Sequence, residues 1–266
     1  MHTVVLGIAL ILGLGSCSEY SKVLKSTDPD YKMLKAVEYY DNDEYVKAYP
    51  LFEELLTLYR GTTKAEEIYF YYAYTNFGMG DYLAASHHFK TFEKTFSHSE
   101  KVQEASYMSG YCHYLESPEY SLDQTNTYKA IEELQLFANK YPDSEFISKT
   151  NDLMIEMRGK LERKAFEISK QYLTTEAYNA AINSFNITLD DFPDTEYREE
   201  IKYLMVQAHY ELAIKSVVEK QPTRLKDTVT AYNNFVNNYP ESEFKPKADK
   251  LLQKAKELQK QLKSNL

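Results

Sequence analysis

The sequence predicts an all-α protein built from consecutive helix hairpins. A pattern of one small residue followed by two large, mostly aromatic ones recurs five times at one spacing. Three of the copies run into a polar turn that begins with Pro. No stretch alternates apolar and polar residues for long enough to build a sheet.

The first copy is Ala48, Phe52 and Tyr59, and the second is Ala85, Phe89 and Phe96. Ala130, Leu134 and Tyr141 follow, then Ala181, Phe185 and Phe192, then Thr228, Tyr232 and Tyr239. Leu55, Phe92, Phe137 and Phe235 add an apolar position one helical turn before the last aromatic, where the fourth copy has Thr188 beside Leu189. This spacing gathers the side chains on one helical face. The turns are Pro142-Asp143-Ser144-Glu145, Pro193-Asp194-Thr195-Glu196 and Pro240-Glu241-Ser242-Glu243. Pro cannot continue a helix, Asp or Ser caps the next one, and the acid that follows suits its positive end.

A second helical stretch precedes each copy: Tyr31–Tyr40, Glu67–Phe77, Val102–Leu115, Leu161–Tyr172 and Glu199–Val218. Asp43 and Gly80-Asp81 mark turns between the partners. The chain therefore reads as repeats near 31–61, 66–98, 101–142, 148–193 and 197–240. Ser117–Asn126, broken by Pro118, is an insertion, and an amphipathic Lys- and Gln-rich helix over Leu251–Leu262 closes the array as a cap near 245–263. Ideal tetratricopeptide repeats run ~34 residues, and the closing aromatics here are 37, 45, 51 and 47 residues apart. The predicted fold is a tetratricopeptide-type α-solenoid of about five helix pairs over 31–266. Pro50 falls inside the second helix of the first pair, where a kink or a late helix start is expected.

The N-terminus reads as an address. Val4–Leu14 is apolar and uncharged, too short to span ~30 Å of hydrocarbon but suited to a secretory leader. It ends in Leu14-Gly15-Ser16-Cys17, which resembles the bacterial lipobox, so residues 1–16 are expected to be a signal peptide and Cys17 the lipidated (palmitate-bearing) first residue. Met1-His2-Thr3 lacks the usual positive charge. Polar residues 17–30, with Pro29, read as a tether.

Composition narrows the function. The 266 residues include 25 Tyr, 13 Phe and no Trp, with a net charge of −9. No basic stripe is present to neutralise phosphates, so nucleic acid is not an expected partner. The scattered glycines build no phosphate-cradling loop, and no cofactor is expected. Cys112 and His113 are helical neighbours whose side chains diverge by ~100°. His87, His88 and His98 lack the spacing that puts two metal ligands on one helix face. Asp190, Asp191, Asp194 and Glu196 lack the alternation of a calcium loop and read as a solvated, capping turn. No catalytic residue and no metal ligand is assigned, and a non-enzymatic scaffold is expected ahead of a lytic or hydrolytic lipoprotein.

The lipobox cysteine, the repeat count and the Tyr-Pro turns together resemble the BamD/ComL family of outer-membrane assembly lipoproteins, over nearly all of residues 17–244. Tyr107-Met108-Ser109-Gly110, followed by an insertion and the Ala130 copy, is similar to that family's middle repeat. The resemblance implies a scaffold of the outer-membrane β-barrel assembly (BAM) machinery. Such a scaffold is lipid-anchored in the outer membrane, faces the periplasm, and binds a BamA-like barrel subunit and unfolded outer-membrane proteins. The alternative is a tetratricopeptide lipoprotein adaptor of another cell-envelope complex.

In a tetratricopeptide fold the first helix of each pair lines a peptide groove. The repeat register places Met33, Val37 and Tyr40 there in the first pair. Phe70, Tyr74 and Phe77 follow in the second, and Tyr107, Tyr111 and Tyr114 in the third. Tyrosine combines apolar area with an adaptable hydroxyl, so these rings are the candidate peptide-binding residues.

Overall fold

The computed structural model describes residues 19–264, and among them the regular structure is entirely helical. Residues 1–16, expected to be a leader, and Cys17, expected to carry lipid, lie outside the described residues. A helical stretch over 19–25 (α1) precedes α2 (Pro29–Asp41), α3 (Tyr45–Leu58), α4 (Lys64–Gly78), α5 (Tyr82–Thr95), α6 (Val102–Leu115) and α7 (Thr125–Lys140). Then come α8 (Ile147–Thr174), α9 (Tyr178–Asp191), α10 (Arg198–Ile214), a 3-10 turn (Val218–Lys220), α11 (Gln221–Asn238) and α12 (Lys245–Ser264). The chain forms two compact units, divided after Met157 within α8.

The repeat pattern sets the packing in both units. Ala48, Ala85, Ala130 and Ala181 are fully buried, as are Phe52, Phe89, Leu134 and Phe185. The closing aromatics Tyr59, Phe96, Tyr141, Phe192 and Tyr239 are each the C-cap residue of their helix. In the turns beyond them it is the hydroxyl residue, rather than Asp, that takes a backbone amide. Thr195 accepts from Tyr197 N–H at 3.1 Å, and Ser242 from Phe244 N–H at 3.1 Å. Where the fourth copy has Thr188 in place of an apolar residue, its buried hydroxyl donates to the Ser184 carbonyl at 2.9 Å, so no polar atom is stranded.

In the first unit each helix from α2 to α7 packs on its sequence neighbours, and α2 also reaches α4. This is the helix-pair stacking of a tetratricopeptide array. One core gathers α1 to α4 around Leu51, Phe52, Leu55 and Ile68, and a second gathers α4 to the start of α8 around Phe89, Phe92, Leu134 and Phe137. In the second unit α10 packs on α9, α11 and α12, over cores that contain Phe166, Phe185 and Phe235.

Three expectations change. Residues 19–25, expected to be part of a tether, form α1, whose Val23 is fully buried and whose Tyr20 packs edge-on against Tyr39 at 5.6 Å. The Tyr20 hydroxyl also donates to the Lys47 carbonyl at 3.3 Å, and Glu19 pairs with Lys35 at 3.1 Å. The helix expected over Leu161–Tyr172 is the later part of the 28-residue α8. Finally, α3 starts at Tyr45, so Pro50 does not delay it. Pro50 has no N–H to give the Val46 carbonyl, and Val46 itself lies on the exposed face of the helix, 77% exposed.

Candidate functional site

The candidate groove residues of α4 and α6 form one continuous aromatic ridge in the first unit. Phe70 meets Tyr74 at 5.0 Å, and Tyr74 meets Phe77 at 6.2 Å, as their helical spacing requires. Phe77 then crosses to α6 and stacks on Tyr111 at 6.2 Å. Tyr111 stacks on Tyr107 at 5.7 Å and on Tyr114 at 5.8 Å. Phe70, Tyr74, Phe77, Tyr111 and Tyr114 are all half-buried. Phe89 supports Tyr74 from beneath at 4.9 Å, so the ridge rests on the core and is held rigid by it.

Tyr107 departs from the expectation. It is only 2% exposed, stacked on Phe146 at 4.7 Å and edge-on to Phe137 at 5.9 Å. Phe137 of α7 and Phe146 of the turn before α8 cover this part of α6. Tyr107 therefore forms the floor under Tyr111, and its hydroxyl is buried with no partner. Tyr40 lies beside the ridge and packs on Tyr71 at 5.1 Å and Tyr45 at 5.6 Å. Met33 and Val37 are half-buried against the first core.

Charged side chains edge the ridge, and sequence periodicity gave no sign of them. Lys101 sits over Phe70 at 4.9 Å, and Lys149 over Tyr111 at 4.9 Å. Each ammonium lies within the ~6 Å reach of a cation–π contact. The Tyr74 hydroxyl donates to Glu104, and the Tyr114 hydroxyl to Glu156 at 2.8 Å. Burial first, then that carboxylate, pushes the Tyr74 phenol well up. The bond to Glu156 first, then burial, pushes Tyr114 to about 12. Burial likewise pushes Tyr40 to about 12. All three stay protonated near neutral pH. Two ridge hydroxyls are thus already committed to carboxylates.

Groups that could carry chemistry are placed elsewhere. Cys112 is fully buried, and burial pushes its thiol to about 12, which leaves it protonated and unreactive. The buried Nδ1 of His113 has no partner. His88 is held between Tyr72 at 4.7 Å and Tyr69 at 5.9 Å as a packing residue. Among the described residues no three His, Cys, Asp or Glu side chains converge as metal ligands, and no helix is long and apolar enough to cross a membrane.

Stacked helix hairpins that carry an aromatic ridge define a tetratricopeptide-type scaffold. Within that class the chain belongs to the YfiO family, described as outer membrane lipoprotein, which residues 28–225 match. The outer membrane protein assembly factor BamD of Vibrio cholerae serotype O1 is 22% identical over 230 residues, covering 81% of this chain and 92% of that protein. Among solved structures, the TPR2AB domain of yeast Sti1 in complex with pHSP90 covers 86% of this chain and 98% of its own, at 12% identity and a TM-score of 0.40. The TPR domain of P58(IPK) covers 91% of this chain and 68% of its own, at 13% identity and a TM-score of 0.42.

Proposed function

We propose that this protein is a lipid-anchored scaffold of outer-membrane β-barrel protein assembly that faces the periplasm and works by binding, without bond-making chemistry. It holds a BamA-like barrel subunit and unfolded outer-membrane proteins, and the first unit takes the substrate segment on its aromatic ridge. The match of residues 28–225 to an outer membrane lipoprotein family carries the reading, and the similarity to BamD supports the assembly role. The ridge supports the substrate role. Half-buried rings edged by both charges suit an extended segment that brings an aromatic side chain and polar backbone. One added aromatic pair contributes ~0.5–1.5 kcal/mol beyond its area, so several rings act together.

Titration of the full chain with two peptides tests the ridge, one ending in Phe and the other identical but ending in Ser. The Phe peptide is expected to bind several-fold more tightly, with the difference abolished by Phe77→Ala combined with Tyr111→Ala. Equal affinity of the two peptides for the wild-type protein sinks the ridge as a substrate site. Mild-detergent capture is expected to recover the barrel subunit, and its absence would favour an adaptor of another envelope complex. Cys17→Ser is expected to move the protein from the membrane fraction to the soluble periplasm. A variant that still sediments with outer membrane after a high-salt wash would show that lipid is not the main tether.

A further inference from the structure

In the first unit the groove over α4 is filled at the level of Tyr72 and opens beside Tyr69, Leu56 and Phe96, whereas in the second unit it is open at the level that corresponds to Tyr72. Glu66-Glu67-Ile68-Tyr69 on α4 matches Glu199-Glu200-Ile201-Lys202 on α10, and both isoleucines are fully buried. In this register Tyr69 corresponds to Lys202 and Tyr72 to Met205. Aligning the fully buried Ala85 and Thr228 pairs His88 of α5 with Ala231 of α11. In the first unit Tyr49, Tyr72 and His88 fill the space over α4, with ring separations of 5.2 Å and 4.7 Å. In the second unit Met205 and Ala231 are too small to do so, and a cleft of about 260 Å³ remains between α9, α10 and α11.

The polar lining of that cleft is asymmetric. Lys202 lies at one end, with the exposed side-chain amides of Asn186 and Asn234 also in the wall. Burial lowers its ammonium pKa, and of its charged neighbours Arg198 repels it while Asp190 attracts it without closing an ion pair. Asp227 and His209 mark the other end, since His209 is about 10 Å along α10 from Lys202. We propose that the Lys202 end is a carboxylate-binding site, which takes an acidic side chain or a chain-terminal carboxylate from an extended partner segment. The ammonium supplies the charge, the two Asn amides supply neutral donors, and Met205 and Ala231 bed the aliphatic part. Arg198 offsets the charge of Asp190 at this end, and Asp227 at the far end disfavours a second acid there. The site uses none of the ridge residues and does not depend on the assembly reading.

Met205 in the cleft wall provides the reporter. The full chain, labelled with ¹³C at its methionine methyls, is titrated with three tripeptides: acetyl-Ala-Asp-Ala-amide, acetyl-Ala-Asn-Ala-amide and acetyl-Ala-Asn-Ala with a free carboxylate. A saturable shift of the Met205 signal is expected with one or both acids and not with the neutral amide. Response to the Asp peptide alone assigns the site to acidic side chains, and response to the free acid alone assigns it to chain ends. Lys202→Met is expected to weaken binding about tenfold or more, while Lys202→Arg retains the preference for acid. An equal response to the neutral amide, no response from the wild type, or an undiminished response in Lys202→Met overturns the proposal.

Discussion

Glu176 holds a left-handed backbone, with φ of 61°, in the turn from α8 to α9. The same turn recurs twice with other residues. Asp43 (φ 58°) joins α2 to α3, and Gly80 (φ 79°) joins α4 to α5. In each, the amide after the left-handed residue closes onto the helix: Glu44 to the Tyr39 carbonyl, Asp81 to Asn76 and Ala177 to Tyr172. Glycine adopts this conformation freely, aspartate tolerates it, and glutamate does so at a cost of about 1–2 kcal/mol. Glu176→Gly is therefore expected to stabilise the protein by about 0.5–1 kcal/mol, after the loss of its exposed ion pair with Lys215. Urea unfolding of the two proteins measures this, and a lowered midpoint would contradict it. The sequence showed the turns at Asp43 and Gly80 because those residues favour them, and hid the one at Glu176 because glutamate does not. It hid Lys32 for a similar reason. Lysine is normally a surface residue, yet Lys32 is 3% exposed and paired with Glu54 at 2.5 Å.

At the scale of the helix, the Ala–aromatic–aromatic pattern carried most of the fold, because each of its positions has one physical job. The small residue lets two helices approach, the first large residue fills the core, and the last aromatic caps the helix. Ala85 and Ala181 are both fully buried at such crossings. Replacing either with Leu is expected to overpack the crossing and cost ~1–3 kcal/mol, with loosening that spreads to the adjacent pair. Thermal unfolding and hydrogen exchange read both effects, and unchanged melting of the two variants would place the repeat register in error. α8 was legible only in part: the helix expected to begin at Leu161 has already begun at Ile147. α1 was missed because seven helical residues with a single fully buried valine give no periodicity. The shared half-buried face of Phe70, Tyr74 and Phe77 on α4 was legible, and the burial of Tyr107 on α6 was not, because counting positions along one helix says nothing about Phe146 arriving from the next turn.

Across the whole molecule three histidines share one electrostatic condition, and this sets a pH dependence. Burial is the largest influence on His88, His113 and His209, and it lowers the pKa of each. His87 adds to the effect at His88, while Asp81 opposes it. At His113 the cations Lys129 and Lys90 work against the carboxylates Glu133 and Glu116, and at His209 Asp227 opposes burial. A histidine whose folded pKa lies below its unfolded value of ~6.5 binds more protons when unfolded in the interval between the two. Stability then rises with pH across that interval, so it is fully present above pH ~6.5 and drains away as the pH falls toward the folded values. Each group adds at most about 1.4 kcal/mol per pH unit. Asp30 and Asp249 act in a separate, lower window. Lys64 and Tyr59 hold the Asp30 carboxyl below its usual range, and the Tyr232 hydroxyl does the same for Asp249, so their contribution is lost only below pH ~3.9. Denaturant unfolding between pH 8 and pH 5 is therefore expected to show a loss that begins near pH 6.5. His88→Gln is expected to flatten that slope, since glutamine keeps a polar group beside the Tyr69 hydroxyl but does not titrate. An identical slope in wild type and in the variant with all three histidines replaced by Gln would show that these buried rings do not set the acid limit of the fold.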